Sequence, residues 1–540
     1  MKDIIKIGII IDGEDVPLWI YRVIEKISCS EFAEIKLIIY NNNKEKGHNN
    51  SKYSFIYKLH KKLDQLIFSS RVDYDKIVEV SNIIQGILCV SVNSKHNNQY
   101  NKTENTFHDI SIHDLDIILN FSSFSFNESS LKLAKYGIWH YGIVNRNITG
   151  DFTSGYWELV KKIPVIEAVL LSSNSSFKKE IVIHRSWFPT NFNSLQINLD
   201  HAYGLCSIII PRLIKGFYLY GFESFKDLTL KYEKSDEETN NRIFFPPSNR
   251  QALINILVIL FRYFFYRLEY HDKWKWFLMY KFNQNPFPDA SSNYKTLVPP
   301  KDRFWADPFV ICRNSKIFIF IEEVIYRIKK GHITLLELDK EGKLLQTEKI
   351  LEKPYHMSYP FIFEYDNSFY MIPETSENKT IELYKCEEFP VKWSFVRNLK
   401  VNIIAKDTTI FFYKNKWWLF TAINESHNFS DYAELFLFYS NDFYTTDWIP
   451  HPNNPIVTDI RNARPAGRVF MYDNKMYRPS QDCSVRYGRA LNINQIITLS
   501  ETSYKEVLIS RNEAIWEAKL KGTHTLNFDE NFSIIDVYKY

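Results

Sequence analysis

The chain has 540 residues, 45% of them hydrophobic and 24% charged, which gives room for about two to four domains with ordinary cores. A net charge of +4 over this length lays down neither a nucleic-acid footprint nor a field for an acidic partner. Six cysteines, at 29, 89, 206, 312, 386 and 483, form no CxxC and no His/Cys pairing, so no metal site and no disulfide framework is expected.

In chain order, Ile4–Ile11 and Ile35–Tyr40 read as strands with Leu18–Ser28 as a helix between them. Phe55–Ile67 reads as a second helix, and Ile87–Val92 and Leu115–Phe121 as further strands. This alternation predicts an open, parallel α/β sheet over residues 1–205. No GxGxxG follows the first strand, so the dinucleotide fingerprint is missing. The opening run lacks the apolar core of a signal peptide, and reduced thiols suit a cytoplasmic location. Asn41–Asn50 and Asn93–Thr106 read as polar loops.

Residues 206–290 read as a helical connector, with charged Lys231–Asn241 followed by one long helix, or two, over Asn249–Phe282. Its most apolar run, Leu253–Phe261, is too short to span a bilayer. Trp274 and Trp276, among lysines and arginines, offer a contact peripheral to an inner membrane.

Residues 291–540 carry an echoing pattern of polar residue, apolar strand, Asn/Asp/Lys turn, aromatic strand and polar residue. It opens at Arg303-Phe-Trp-Ala-Asp-Pro-Phe309 and returns after Ser358, Lys406 and Arg464. Such a pattern predicts a β-propeller, and the length suits five blades of about 50 residues. In that fold Asp307, Asp407 and Arg464 meet at one axis.

Asp116-Ile-Ile-Leu-Asn120, Trp139-His140 and Tyr156-Trp157-Glu158 resemble the core of the methionyl-tRNA formyltransferase fold, with His140 matching its histidine. Thr149-Gly150 takes the place of that family's Arg-Gly turn. Ile138 stands where the oxyanion-holding asparagine belongs, and Ser172–Phe177 supplies no carboxylate where an aspartate belongs. Formyl transfer, which needs both, is therefore not expected.

The same segments joined to Phe304-Trp-Ala-Asp-Pro308 resemble a family of bacterial surface-glycan proteins. Their propeller is similar to the domain accompanying the catalytic domain of plant glucosamine inositolphosphorylceramide transferase. The likeness rests on Tyr359-Pro-Phe361, Ile372-Pro-Glu374, Asp407-Thr408, Trp417–Phe420, Tyr477–Asp482, Tyr487-Gly488 and Gly522-Thr-His-Thr525. It implies a transferase of capsule or lipopolysaccharide assembly that moves a sugar or substituent from a sugar nucleotide or sugar phosphate to a glycan acceptor. Arg464, Arg478 and Lys406 would face the leaving phosphate, with Gln481, Asp482 and His356 on hydroxyls. Furanosidases and arabinanases share the five-bladed scaffold and carry two Asp and one Glu at its axis. That analogy makes Asp307 a base, Asp407 its orienting partner and Glu374 an acid in a glycoside hydrolase or trans-glycosylase. A non-catalytic glycan-binding scaffold is the third reading.

Overall fold

In the computed structural model the first strand, Ile5–Ile11, lies inside a seven-stranded sheet, third in order from one edge. Ile7, Ile9, Ile10 and Ile11 are all buried, as expected of a parallel strand covered on both faces. The order across the sheet is Leu88–Val92, Ala33–Asn41, Ile5–Ile11, Ile117–Asn120, Ile138–Ile143, Val165–Ser173 and Ile181–Pro189. The first five run parallel; the last two add antiparallel at one edge. The structure describes residues 3–41, 54–68, 72–92, 109–122, 130–143, 155–174, 180–221, 246–269, 275–283, 285–288, 294–425, 434–513 and 520–539. Asn42–Asn50, Asn93–Thr106, Thr149-Gly150, Lys231–Asn241, Trp274 and Ser175–Phe177 lie outside them.

The described helices are α1 (Leu18–Ser28), α2 (Phe55–Ile67), α3 (Ser81–Ile84), α4 (Tyr156–Lys161), α5 (Leu195–Tyr220) and α6 (Asn249–Glu269). Helix α5 is long and apolar enough to cross a membrane, but 67% of its apolar window is buried inside the protein, the mark of a core helix. It runs straight through residue 205, so no domain boundary falls there. Helix α6 is tied to α4: Asn255 Nδ2 donates to Tyr156 Oη at 3.0 Å, and Arg262 Nη1 donates to the carbonyls of Leu159 and Val160. The stretch read as a connector thus belongs largely to the first of two compact units, Met1–Tyr266 and Arg267–Tyr540.

The second unit holds five sheets of similar design. Blade I is Arg303–Arg313, Lys316–Ile325, Gly331–Asp339 and Leu344–Leu351. Blade II is Ser358–Tyr365, Ser368–Thr375, Thr380–Glu388 and Lys392–Val401. Blade III is Ala405–Tyr413, Lys416–Ile423, Leu435–Ser440 and Ile449–Pro450. In blade IV the inner strand is split into Arg464–Pro465 and Phe470–Tyr472, followed by Lys475–Asp482, Ala490–Leu499 and Tyr504–Glu513. Each of these four blades opens on a two-residue hairpin turn: Asn314-Ser315, Asp366-Asn367, Lys414-Asn415 and Asp473-Asn474. Both residues of every turn have positive φ, the backbone that matches strand twist and suits Asn and Asp. The echoed turn signal therefore has a mechanical origin.

Blade V corrects the sequence reading. Lys275–Phe282 is not the end of a helix but a strand, paired residue for residue with Phe532–Lys539 near the other end of the chain. The two ends of the unit thus close one sheet, and the propeller begins ahead of residue 291. Trp276, expected at a membrane interface, is buried in this strand beside Tyr538 and His524.

An ionic centre at the propeller axis

The inner strands of blades I, II and III break register at the same place, just after Ala306, Ser358 and Lys406. The residue at each break, Asp307, Tyr359 or Asp407, has φ of 51°, 43° or 50°. Left-handed backbone at a non-glycine residue costs about 1–3 kcal/mol and persists only where surrounding contacts impose it. Here the contacts join the blades. Tyr359 N donates to Asp307 Oδ2 at 3.1 Å, and Tyr359 Oη meets Thr409 Oγ1 at 2.9 Å while accepting from Gly467 N at 2.7 Å. A β-carbon on Gly467 would lie 2.0 Å from the Leu526 carbonyl oxygen, so only glycine fits that approach.

Asp307 is enclosed by blade V. Its Oδ1 accepts from Thr525 Oγ1 at 2.8 Å and lies 3.2 Å from His524 Nε2. The other imidazole nitrogen sits 2.9 Å from Asp536, whose carboxylate also accepts from the backbone N–H groups of Asp307, His524 and Thr525. Burial alone would discharge His524, but Asp536 and Asp307 outweigh it and raise its pKa to about 10. An imidazolium therefore bridges two buried aspartates. Burial works to raise Asp307 as well, yet the charge and hydrogen bond of His524 hold it below the usual range.

Blades II to IV build a second ion cluster. Both nitrogens Nε and Nη2 of Arg464 grip Asp407, and Gln481 Nε2 donates to Asp407 Oδ2 at 2.9 Å. Lys406 Nζ donates to Glu374 Oε1 at 2.8 Å, Asp407 N donates to Glu374 Oε2, and Arg464 Nη2 lies 3.6 Å from the same carboxylate. Burial lifts Asp407 to about 7, against the pull of Arg464 and with added repulsion from Glu374 and Asp307. Glu374 goes the other way: burial opposes ionisation, but Lys406 and then Arg464 hold its pKa at about 2. Arg464 also lies over the Tyr487 ring, 4.9 Å from its centroid.

A third pair lies beside these. His356 Nε2 sits 3.0 Å from Glu322, and its Nδ1 accepts from Gly331 N. Burial raises the Glu322 pKa, and His356 offsets this only in part. His356 itself is raised, because Glu322 outweighs its burial, and its ring also feels Glu374 and Lys406. Glu322 and Glu374 occupy matching positions on second strands, opposite Ala306 and Ser358; Ala422 has that place in blade III.

The expected convergence of Asp307, Asp407 and Arg464 is thus present, with Glu374, Gln481, Lys406 and His356 around them. Three expectations are not met. Glu374 is held ionised, the opposite of what a proton donor at neutral pH needs. Arg478 Nε and Nη2 donate to Glu506, and Nη2 also to the Asn462 carbonyl, while Asp482 is paired with Arg511 at 2.6 Å. Neither faces Asp407, because side chains alternate along Lys475–Asp482 and Gln481 takes the axial side. His140 stands in the first unit, where the sequence reading put it, 3.2 Å from Glu180. Glu322, Tyr359, His524 and Asp536 were missed as site residues. The repeat itself held the signal for Glu322, since aligning Glu322 with Glu374 puts both beside the register break. Arg478→Met is expected to lower propeller stability by about 3 kcal/mol through the orphaned Glu506, with ligand affinity unchanged, as thermal melts with and without ligand will read.

Five sheets of four or five strands around a charged axis define this unit as a five-bladed β-propeller with an ionic centre. Residues 285–534 match the family model described as glucosamine inositolphosphorylceramide transferase 1, N-terminal. The chain is 35% identical over 252 residues to glucosamine inositolphosphorylceramide transferase 1 of Oryza sativa subsp. japonica, covering 45% of this chain and 33% of that protein. The protein of the same name from Arabidopsis thaliana is 30% identical over 246 residues, covering 45% and 31%. The chain therefore matches about a third of the length of these relatives. Solved structures with some likeness include a family 117 glycoside hydrolase of Zobellia galactanivorans (TM-score 0.32, 12% identity, 49% of this chain and 91% of that one). Another is the α-L-arabinofuranosidase of Podospora anserina (TM-score 0.33, 10% identity, 44% and 91%). At such scores the fold rests on the sheets described above.

Proposed function

We propose that this protein is a transferase that moves a sugar, or a substituent carried on one, from a sugar nucleotide or sugar phosphate to a glycan acceptor, as in surface-polysaccharide assembly. The relatives are named as transferases acting on inositolphosphorylceramide, which supports the reaction class. One observation carries the reading for the axial site: Glu322 and Glu374, at matching positions in adjacent blades, differ in protonation preference, since burial raises Glu322 against a partial offset by His356 while Lys406 and Arg464 hold Glu374 ionised. Carboxyls driven apart in this way are how one site holds both a proton-exchanging group and a fixed charge.

In this scheme the acceptor hydroxyl gives its proton to the His356–Glu322 pair as its oxygen bonds to the transferred group. The bond from that group to the donor phosphate breaks, and the electron pair leaves on phosphate oxygen. Lys406, with Arg464 behind it, balances that charge. Asp307, Asp407 and the His524 bridge fix the frame. Hydrolysis with Glu374 as acid is disfavoured by the charge that Lys406 imposes on it. His140 and the α/β unit, whose motifs resemble formyltransferases, are assigned donor or acceptor recognition.

The test is incubation of the full chain with a panel of nucleotide sugars and glycan acceptors, read by mass spectrometry and thermal shift. A bound donor at a hundred times its Kd adds about 2.7 kcal/mol of stability. His356→Gln is expected to lower turnover about a hundredfold or more while keeping the melting temperature. If no donor on the panel stabilises the protein or is consumed, the transferase reading fails.

A further inference from the structure

Helix α2 is built inside out. Its inward side carries Asp64, which accepts from Ser194 Oγ at 2.9 Å and from Gln196 N at 2.6 Å at the start of α5. Its outward side carries Leu59, Leu63 and Leu66, whose spacing of four and three residues sets them in one stripe. All three are exposed, Leu66 by 70%. Helix α6 runs alongside in the same direction: Ile56 N donates to Asn249 Oδ1 at one end, and Phe68 meets Tyr263 at the other. Its buried stripe is narrow, formed by Ala252, Asn255 and Ile259, and Leu253, Leu257 and Leu260 are exposed. Two parallel helices thus present an exposed apolar ridge, which on α6 also carries Phe261 and Phe264.

The border of the ridge states what covers it. Lys58 and Lys62 flank the α2 stripe, Lys61 faces Asp75 at 3.6 Å, and Arg250 opens α6. The single carboxylate in α2 is the buried Asp64, and α6 has none before Glu269. Protein-binding hot spots favour Trp, Tyr and Arg over Leu. An apolar ridge of leucine and phenylalanine with a cationic border and no exposed acid on its own helices is the composition of a segment lying in a lipid headgroup layer. We propose that the α2–α6 ridge seats this protein on a bilayer bearing anionic lipid, with the six leucines entering the acyl boundary and the border cations at the headgroups. This ridge takes the place of the buried Trp276 as the membrane contact, and it stands apart from the axial chemistry.

The experiment is flotation of the full chain with vesicles of phosphatidylcholine alone and of phosphatidylcholine mixed equally with phosphatidylglycerol. The protein is expected to float with the mixed vesicles, and Leu63→Gln/Leu257→Gln to reduce the bound fraction by about tenfold or more. Both side chains are exposed, so circular dichroism and the melting temperature of the variant are expected to match the parent. Lys62→Glu, which leaves the apolar ridge whole, is expected to weaken binding to the mixed vesicles alone. The proposal is overturned if the parent protein does not float, or if the leucine variant floats as well as the parent. It is equally overturned if sedimentation shows a dimer that the leucine variant dissociates, since a second copy would then be the cover. The readout is binding, so it succeeds or fails independently of any transfer activity.

Discussion

His524→Asn is expected to destabilise the propeller by about 3–5 kcal/mol near neutral pH, because it leaves Asp307 and Asp536 buried without the cation between them. The pH dependence identifies the cause. The folded pKa of about 10 stands above the ordinary 6.5, so the bridge gives its full stability below pH 6.5 and loses it as pH rises through 10. At about 1.36 kcal/mol per unit this alkaline limb is worth on the order of 5 kcal/mol. The variant lacks that limb and instead loses stability as pH rises out of the acid range, where its two facing carboxyls must ionise. Urea midpoints of both proteins between acid and alkaline pH decide the matter; parallel profiles would mean that His524 is neutral in the fold.

Arg464→Met is expected to abolish transfer and to lower stability by about 3–5 kcal/mol above neutral pH, because one guanidinium serves both Asp407 and Glu374. Asp407 already sits at about 7 with Arg464 present, so without it the carboxyl keeps its proton to higher pH still. A raised carboxyl favours the folded state at low pH and penalises it progressively as pH climbs from the ordinary 3.8 through the folded value. The deficit of Arg464→Met is therefore expected to shrink on acidification. Glu374, at about 2, gives stability above the ordinary 4.5 and loses it only as pH falls toward 2, so the two carboxyls separate by pH. The double variant Arg464→Met/Asp407→Asn is expected to recover most of the loss without recovering activity. Additive losses in that cycle would show that the pair is not coupled.

Much of the propeller was legible because its repeat is local. Asn/Asp/Lys turns demand positive φ, aromatic and β-branched runs demand strands, and the four hairpins appear where those residues stand. Strand alternation also held information that went unused, since it separates Gln481 from Arg478 and Asp482 by parity alone. The closing strand was not legible. Lys275–Phe282 is a short, almost wholly apolar run, and such a run has no periodicity that tells a buried strand from a helix.

By itself the sequence determined the parallel α/β half and the blade repeat with its hairpin turns, because each depends on residues within a few positions, whereas the left-handed breaks at Asp307, Tyr359 and Asp407 are imposed by contacts between blades. Only the tertiary structure decided how the blades close, since Lys275–Phe282 becomes a strand through a partner more than two hundred residues away. It also decided which carboxyls keep a charge. Glu322 and Glu374 are alike in local sequence setting, and they part because Lys406 and Arg464 reach Glu374 from other blades and outweigh its burial, whereas His356 offsets the burial of Glu322 only in part.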